Sequence, residues 1–197
     1  MPSTASARNV LVVLGHPSST SLSAALAQAY ADGARAAGHQ VRMLRLGELA
    51  FDPVLHGSNP HLQPLEADLR AAQEDMQWAQ HMAWVFPVWW GSVPALLKGF
   101  LDRAFTSGYA YKFQPGASFP TPLLRGRTAD LLVPLDTPPW YYRWIYRMPA
   151  VHQMRKTTLD FCGIRTRRTR LWGPVIHSHA PQRAQWLEEA QALGRSV

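Results

Sequence analysis

The sequence predicts an α/β protein in which helices cover both faces of a five-stranded parallel sheet, forming a three-layer sandwich. Two observations favour this fold class. Short apolar runs alternate five times with longer helix-like segments along the 197 residues. The connections between successive runs are too long for hairpins, so the strands are expected to pair in parallel. The first run, 9–14 (NVLVVL), is apolar without interruption, as in a strand that is buried on both faces.

The elements follow this alternation along the chain. The predicted strands cover 9–14, 40–46, 82–86, 128–135 and 168–172. The predicted helices cover 22–37, 65–79, 94–105, 148–162 and 181–193. The predicted irregular segments are 47–64, 108–127 and a turn at 136–139.

Local signals support several of these boundaries. The first helix is rich in alanine, and Gly38 ends it because glycine readily adopts the left-handed conformation of a helix C-terminus. Residues 40–46 alternate between polar and apolar side chains, as a strand does. Pro94 is well placed in the first turn of the third helix. We expect one domain over 9–197 because no linker, repeat or low-complexity tract divides it.

Composition limits the classes of protein that remain. Hydrophobic residues make up 47% of the chain, which argues against global disorder. No apolar run approaches the length of a membrane span, so we expect no integral membrane segment. Residues 1–8 lack the apolar core of a secretion signal and are expected to form a disordered tail. Cys162 is the only cysteine, which excludes an internal disulfide and is typical of a reducing cytoplasm.

Charge and ligand spacing exclude further classes. The net charge is +7, and residues 125–170 hold ten Lys or Arg side chains but only three acids. Such a segment is compatible with nucleic acid, with phosphorylated small molecules or with a solvated face. No nucleic-acid-binding module accompanies it, so we expect no nucleic-acid partner. The histidines show no metal-ligand spacing, and no metal site is predicted.

Ligands of parallel sheets bind at the carboxyl ends of the strands, so the loops that follow strands one, three and four are the informative ones. Loop one, GHPSSTSLSAA over 15–25, contains neither a Walker A motif nor the dinucleotide fingerprint. Its hydroxyl groups and His16 surround the start of a helix, whose free N–H groups attract anions. The segment is interpreted either as a phosphate cradle or as ordinary serine capping.

The other two loops present aromatic side chains. In PVWWG, Pro87 and Gly91 enclose a compact turn whose backbone could approach a ligand. Trp89 and Trp90 either pack against the neighbouring helix or a partner subunit, or line a binding site. In DTPPWYYRW, which starts at Asp136, two prolines restrict the backbone before four aromatic residues. Those aromatics form either a ligand wall or a dimer interface. A planar ring that carries a phosphate tail would suit all three loops.

Several motifs with this spacing resemble the NAD(P)H:quinone oxidoreductases, the DT-diaphorase-like flavoproteins of flavodoxin-like fold. The motifs are GHP with SxS, FDPVL, FPVWWGSVPALLKGFLDRAF, GYAY and FCGI. The resemblance extends from about residue 10 to residue 162, and more weakly to the C-terminus. It implies an enzyme that binds a flavin, FMN or FAD, with NADPH or NADH as electron donor. It also implies a homodimer.

The resemblance assigns roles to residues. The flavin phosphate would meet His16, Ser21 and Ser23, and Arg183 would reach the far end of an FAD. The residues that it places along the flavin ring are Pro87, Val88, Trp89, Trp90, Gly91, Asp136 and Thr137. Family members place a Tyr and a His over the ring, and the candidates are Tyr141, Tyr142 and His152. The family's glycines in the fourth loop are replaced by Pro138 and Pro139.

The implied reaction is hydride transfer from NAD(P)H through flavin N5 to a quinone or a similar acceptor, with ping-pong kinetics. Three alternatives remain. A flavodoxin-type electron carrier is disfavoured because such carriers are usually acidic. The other two are a regulatory or ancillary subunit of a membrane transporter, and a nucleic-acid binder that uses the basic segment.

Overall fold

The computed structural model describes residues 6–57, 63–116 and 119–197. Five of the eight residues predicted to form a tail, 1–5, lie outside the described residues. The other three, 6–8, are in neither a helix nor a strand. The Arg8 backbone N–H donates a hydrogen bond to Nδ1 of His39 at 3.2 Å, which ties the start of the first strand to the end of the first helix.

The central sheet has five strands, all parallel: β1 (Asn9–Leu14), β2 (Gln40–Arg45), β3 (His81–Val85), β6 (Thr128–Pro134) and β7 (Arg165–Trp172). Their spatial order is β2-β1-β3-β6-β7. The predicted fold class is therefore confirmed. A small antiparallel pair, β4 (Tyr111–Lys112) and β5 (Thr121–Pro122), forms within the segment predicted to be irregular.

Helices cover both faces of this sheet. They are α1 (Leu22–Ala36), α2 (Ala67–Trp78), α3 (Ala95–Ala104), α4 (Pro139–Trp144), α5 (Pro149–His152) and α6 (Ala180–Arg195). A 3₁₀ turn covers Leu46–Glu48, and α5 continues as a π-helix over Gln153–Asp160. Successive residues of β1 point to opposite faces of the sheet, so they pack against different layers of helices. Val10 and Val12 pack with α1 and α6, whereas Leu11 and Val13 pack with α2 and α3.

One helix was not predicted from the sequence. Residues 136–139 were expected to form only a turn, but Pro138 is the N-cap and Pro139 the first residue of α4. Proline fits the first turn of a helix because the N–H that it lacks would have no partner there. The helix has only six residues, too few for a hydrophobic period to reveal it. β7 also begins three residues earlier than predicted, at Arg165.

The strand order produces a switch point between β1 and β3. The chain runs from β1 outward to β2, then returns to β3 and continues in the opposite direction across the sheet. The loops that follow β1 and β3 therefore diverge and leave a crevice at the carboxyl ends of the strands.

A buried polar network lies within the sheet, away from that crevice. The Tyr30 hydroxyl donates to Oδ2 of Asp130 at 2.9 Å and lies 2.9 Å from Nε2 of His81. Arg168 donates to the same carboxylate oxygen through Nε and Nη2, and Nδ1 of His81 pairs with the Thr128 hydroxyl. Burial alone would raise the pKa of Asp130, but the hydrogen bonds from His81 and Arg168 outweigh it and lower that pKa to about 2.

Candidate functional site

Two adjoining cavities lie at the carboxyl ends of the strands, with volumes of about 190 Å³ and about 490 Å³. Val88 and Asp136 line both, so the cavities form one continuous cleft. The smaller cavity is also lined by His16, Ser21, Leu22, Ser23, Pro87, Trp89, Pro134, Leu135 and Val175. The larger cavity is also lined by Trp90, Gly91, Thr137, Tyr142, Tyr146 and Pro149.

The loop after β1 supplies the polar end of the cleft. Ser21 caps α1, because its Oγ accepts the Ala24 N–H at 3.2 Å. Ser23 lies in the first turn of the helix, and its side chain is almost fully buried while still lining the smaller cavity. The first turn of α1 contains no acidic residue, so the partial positive charge of the helix N-terminus faces the cavity uncompensated.

His16 completes this end of the cleft. Its Nδ1 accepts the Ser18 N–H at 2.9 Å, so the neutral imidazole carries its proton on Nε2 and can donate from that atom. The imidazole meets Trp89 edge to face, with ring centroids 5.3 Å apart. Serine capping and a phosphate cradle, which the sequence left as alternatives, are thus compatible: one serine caps the helix while the neighbouring groups line the cavity.

The loop after β3 closes on itself in a two-residue turn. Trp89 and Ser92 exchange both backbone hydrogen bonds at 3.0 Å, and the two residues between them have positive φ, 52° at Trp90 and 77° at Gly91. These values correspond to a type I′ turn. Glycine adopts this conformation freely, whereas a tryptophan in it is strained by about 1–2 kcal/mol. Within the described chain, the backbone N–H groups of Trp90 and Gly91 have no hydrogen-bond partner.

The two tryptophans occupy different environments. Trp89 is 43% exposed and lines the smaller cavity beside His16, while Trp90 is fully exposed and lines the larger cavity. Neither belongs to the hydrophobic core. Packing in the protein's own core therefore does not explain either side chain.

The loop after β6 forms the opposite wall. Oδ1 of Asp136 accepts the Ile176 N–H at 2.8 Å, which joins this loop to the one after β7. Tyr142 of α4 is fully buried, and its hydroxyl oxygen accepts the Ala150 N–H at 3.1 Å. Burial raises the pKa of Tyr142, so its hydroxyl stays protonated at neutral pH. Tyr142 thus joins α4 to α5 from within the protein, with its hydroxyl shielded from solvent.

A fourth loop, after β7, contributes Val175 to the cleft. The Val175 N–H donates to the Leu135 carbonyl at 3.0 Å, which holds the loops after β6 and β7 together. Nε of Arg183 donates to Oγ of Ser178 at 2.8 Å, and that hydroxyl donates to the Val175 carbonyl at 2.6 Å. In the structure Arg183 therefore braces this loop from the first turn of α6.

The structure brings together ten of the eleven residues predicted to hold a cofactor, Arg183 being the exception. Of the three predicted catalytic candidates, Tyr142 lines the cleft. Tyr141 packs edge to face against Trp140 and Tyr146, and the exposed His152 lines neither cavity. Sequence reasoning missed six residues that line the cleft: Leu22, Pro134, Leu135, Tyr146, Pro149 and Val175. Tyr146 continues the aromatic run of the fourth loop, which was the available signal for it, whereas nothing in the sequence singles out Val175.

The sequence profile of one protein family, described as having a flavodoxin-like fold, matches residues 8–193. The chain belongs to the flavodoxin-like fold family. A protein of Haemophilus influenzae named as an uncharacterized NAD(P)H oxidoreductase is 27% identical over 174 residues, 85% of this chain and 84% of its own.

Solved structures agree on the fold. The NAD(P)H:quinone oxidoreductase from Methanothermobacter marburgensis is 23% identical with a TM-score of 0.80, and 97% of each chain is covered. An FMN-dependent NADH-azoreductase from Bacillus anthracis in complex with FMN is 16% identical with a TM-score of 0.69, covering 95% of this chain and 97% of its own. The predicted family and the prediction of an oxidoreductase are confirmed.

Over 6–57, 63–116 and 119–197, no helix combines the length and the apolar character needed to cross a membrane. The same ranges contain no cluster of three or more His, Cys, Asp or Glu side chains suited to a metal ion.

Proposed function

We propose that the protein is a flavin-dependent NAD(P)H oxidoreductase that reduces a quinone or a similar planar acceptor in the cleft. The observation that carries the proposal is the arrangement of the cleft. One end offers a helix N-terminus with hydroxyl groups, and the middle offers unpaired backbone donors beside aromatic faces. The named relatives, an NAD(P)H oxidoreductase and a quinone oxidoreductase, support the same chemistry.

The residues at the polar end suit the phosphate of FMN or FAD. The first N–H groups of α1 lack partners within the helix, and Ser23 and Nε2 of His16 add donors. Ser21 would keep the helix start rigid rather than contact the ligand alone, since its Oγ is already shared with Ala24. A dianionic phosphate is favoured here because no carboxylate lies in the first turn of α1.

The residues in the middle suit the ring. The turn formed by Trp90 and Gly91 presents two N–H groups without partners, and fixed donors of this kind stabilise negative charge that develops on a ligand. A Cβ at Gly91 would lie 3.7 Å from Cγ of Pro149, in ordinary van der Waals contact, so Pro149 borders the turn on that side. Trp89 and Trp90 would supply flat apolar surface to the smaller and the larger cavity, respectively.

A bound flavin would supply a ring atom, N5, that accepts a hydride from NAD(P)H and passes it to the acceptor. The protein's contribution is to bind, orient and shield. Tyr142 would shape the wall of the larger cavity, because it is fully buried and its hydroxyl oxygen is fixed by the Ala150 N–H. Donor and acceptor would use the larger cavity in turn, which gives ping-pong kinetics.

The decisive experiment begins with the purified protein. The absorption spectrum and mass of any ligand released by denaturation would establish a flavin and distinguish FMN from FAD. Anaerobic addition of NADH or NADPH should then bleach the flavin, and a quinone should restore its colour. A flavin that binds but is reduced by neither nucleotide would overturn the proposal.

We also propose a homodimer, because Trp90 is fully exposed at the mouth of the larger cavity and a second copy could cover it. Sedimentation equilibrium measures the mass of the assembly directly.

A flavodoxin-type electron carrier remains the second candidate. It would accumulate a stable one-electron state during reductive titration, whereas the proposed enzyme would pass directly between the oxidised and two-electron-reduced forms.

A further inference from the structure

Another cavity, of about 590 Å³, lies at the amino ends of the strands, on the edge of the sheet opposite the cleft. This amino-edge cavity is lined by Gly126 and by the side chains of Ser6, Arg8, Gln80, Thr128, Arg165 and Arg167. Among the described residues, no acidic or aromatic side chain lines it. Three positive charges therefore line one polar cavity to which the protein contributes no negative charge.

The topology of the sheet places these arginines along one edge. Arg8 precedes β1 and Arg165 begins β7, and the strand order places β3 and β6 between those two strands. Because neighbouring strands lie about 4.8 Å apart, the backbones of Arg8 and Arg165 are separated by about 14 Å. A β-bulge adds Arg167 to β7 as an extra residue that no residue of β6 opposes. The positive charge is thus spread along the edge rather than concentrated at one point.

The arginines of the amino-edge cavity lack the acidic partners that other arginines of β7 have. Arg168 and Arg170 each form an ion pair with an acidic side chain. Within the described residues, neither Arg8 nor Arg165 forms an ion pair or a side-chain hydrogen bond, and Arg167 makes one 3.5 Å contact with a backbone carbonyl. Like charges held near one another without a counter-charge repel, so an anion in the cavity would be stabilised.

The amide of Gln80 adds a donor to this lining. Its Oε1 accepts the Asn9 N–H at 3.0 Å, and its Nε2 has no acceptor within the described residues. The Thr128 hydroxyl is already paired with Nδ1 of His81 at 2.7 Å, so the arginines and Gln80 supply the donors. A lining made of donors is suited to a ligand made of acceptors, such as phosphate oxygens.

The spacing and composition of the cavity indicate which anion fits. A guanidinium binds phosphate oxygens through two parallel hydrogen bonds. Guanidiniums spread along the edge can each meet a different phosphate of a linked chain, whereas a single phosphate ion cannot meet all three in this way. A nucleic acid is disfavoured because the lining offers no aromatic ring on which a base could stack.

We propose that the amino-edge cavity binds a small molecule that carries two or more linked phosphate groups. The cavity lies at the opposite edge of the sheet from the cleft and from Trp90, so its ligand is compatible with a bound flavin and with the proposed homodimer. The inference does not rest on the proposed function, because binding here requires neither a flavin nor turnover.

The test is isothermal titration calorimetry of the purified full-length protein with tripolyphosphate, pyrophosphate and inorganic phosphate. Affinity should fall in that order, and added salt should weaken the binding of each anion. The double variant Arg165→Gln with Arg167→Gln should weaken tripolyphosphate binding by about 25-fold, roughly five-fold for each exposed arginine. The single variant Arg8→Gln, which leaves β7 unchanged, should weaken it by about five-fold.

A matched control removes the same charge elsewhere. Arg143→Gln with Arg155→Gln replaces two exposed arginines that form no ion pair within the described residues, and it should bind tripolyphosphate nearly as well as the unmodified protein. Ser23→Ala, which alters the polar end of the cleft, should also leave this binding unchanged.

Four results would overturn the proposal. The first is that the control double variant loses as much affinity as the β7 double variant, and the second is that inorganic phosphate binds as tightly as tripolyphosphate. The third is that tripolyphosphate binding is undetectable, including the case in which single-stranded RNA binds through these arginines instead. The fourth is that Ser23→Ala abolishes the binding, which would place the anion in the cleft. Flavin binding stays as proposed under each of the first three results, so the two proposals fail separately.

Discussion

The cleft and the buried network around Asp130 place polar groups in opposite situations. In the network, Tyr30, His81 and Arg168 surround Oδ2 of Asp130, and the polar atoms of these side chains are paired inside the protein, except for the buried Oδ1 of Asp130. In the cleft, the N–H groups of Trp90 and Gly91 have no partner among the described residues. Buried polar groups must be paired for the fold to be stable, whereas a binding site must leave groups unpaired for its ligand.

This difference shows that a perturbed pKa alone does not locate the site. The strongly lowered pKa of Asp130 and the raised pKa of Tyr30 both belong to the enclosed network. Such shifts often mark active sites, but structural ion pairs produce them as well. The strained turn at Trp90 is the better indicator here, because strain persists where the surrounding structure enforces it.

Removing the carboxylate tests the network. Asp130→Ala should lower the free energy of unfolding by about 3 kcal/mol, because Arg168 would be left without its partner in a mostly buried position. Urea denaturation measures this loss. Asp32→Ala, which breaks an exposed ion pair with Arg35, should change stability by less than about 0.5 kcal/mol. An equal effect of the two substitutions would contradict a structural role for the network.

Removing a hydroxyl tests the polar end of the cleft. Ser23→Ala should weaken FMN binding by about ten-fold, since a hydrogen bond to a charged group contributes about 1.5 kcal/mol. It should leave riboflavin binding unchanged, because riboflavin has no phosphate. Flavin fluorescence titration gives both dissociation constants. Ser19→Ala, in the same loop but outside the residues that line the cleft, serves as the control. A similar loss for FMN and riboflavin would place the phosphate elsewhere.

Replacing the strained tryptophan separates stability from binding. Trp90→Asn should raise the free energy of unfolding by about 1 kcal/mol, because Asn-Gly is the preferred pair for a type I′ turn. The same change should weaken flavin binding, because an aromatic face is lost from the cleft. Trp144→Asn, an exposed tryptophan with ordinary helical backbone, should give no gain in stability. Thermal denaturation measures the change in stability, and flavin titration measures the change in binding. A loss of stability in Trp90→Asn would show that the turn is not strained.

Local patterns in the sequence predicted the five strands of the sheet, and the loops after the strands, together with the family resemblance, predicted eleven residues that line the cleft. Apolar runs identified β1 and β3, and the loops that follow strands are easily located. Val175 could not be found this way, since its place in the cleft depends on how the β7 loop packs on Leu135. The six-residue α4 was missed because two prolines before an aromatic run are also typical of a turn. The buried network was missed because its members are up to 138 residues apart, from Tyr30 to Arg168, and only the sheet brings them together.

The smallest expected effect is the pH dependence of stability that arises from His81 in the buried network. Burial lowers the pKa of His81, and the nearby positive charges of Arg167 and Arg168 act in the same direction, against the opposing effect of Asp130. A histidine whose pKa is lowered by folding stabilises the protein above its unfolded pKa of about 6.5, and this contribution is lost as the pH falls further. Between pH 7 and pH 6, the loss from one such histidine is at most about 0.7 kcal/mol.

His81→Gln should therefore reduce the pH dependence of stability in this interval, as measured by urea denaturation at each pH. Gln retains a donor and an acceptor for Tyr30 and Thr128 but cannot be protonated. The pKa of His39 is also lowered by burial and by Arg8, so His39 should still contribute to the pH dependence of stability in the variant. The carboxylate of Asp130 adds nothing here, because with a pKa of about 2 its contribution is lost only between about pH 4 and pH 2. If His81→Gln leaves the pH dependence unchanged, His81 already exchanges its proton freely in the folded protein, and the network is less enclosed than its hydrogen bonds indicate.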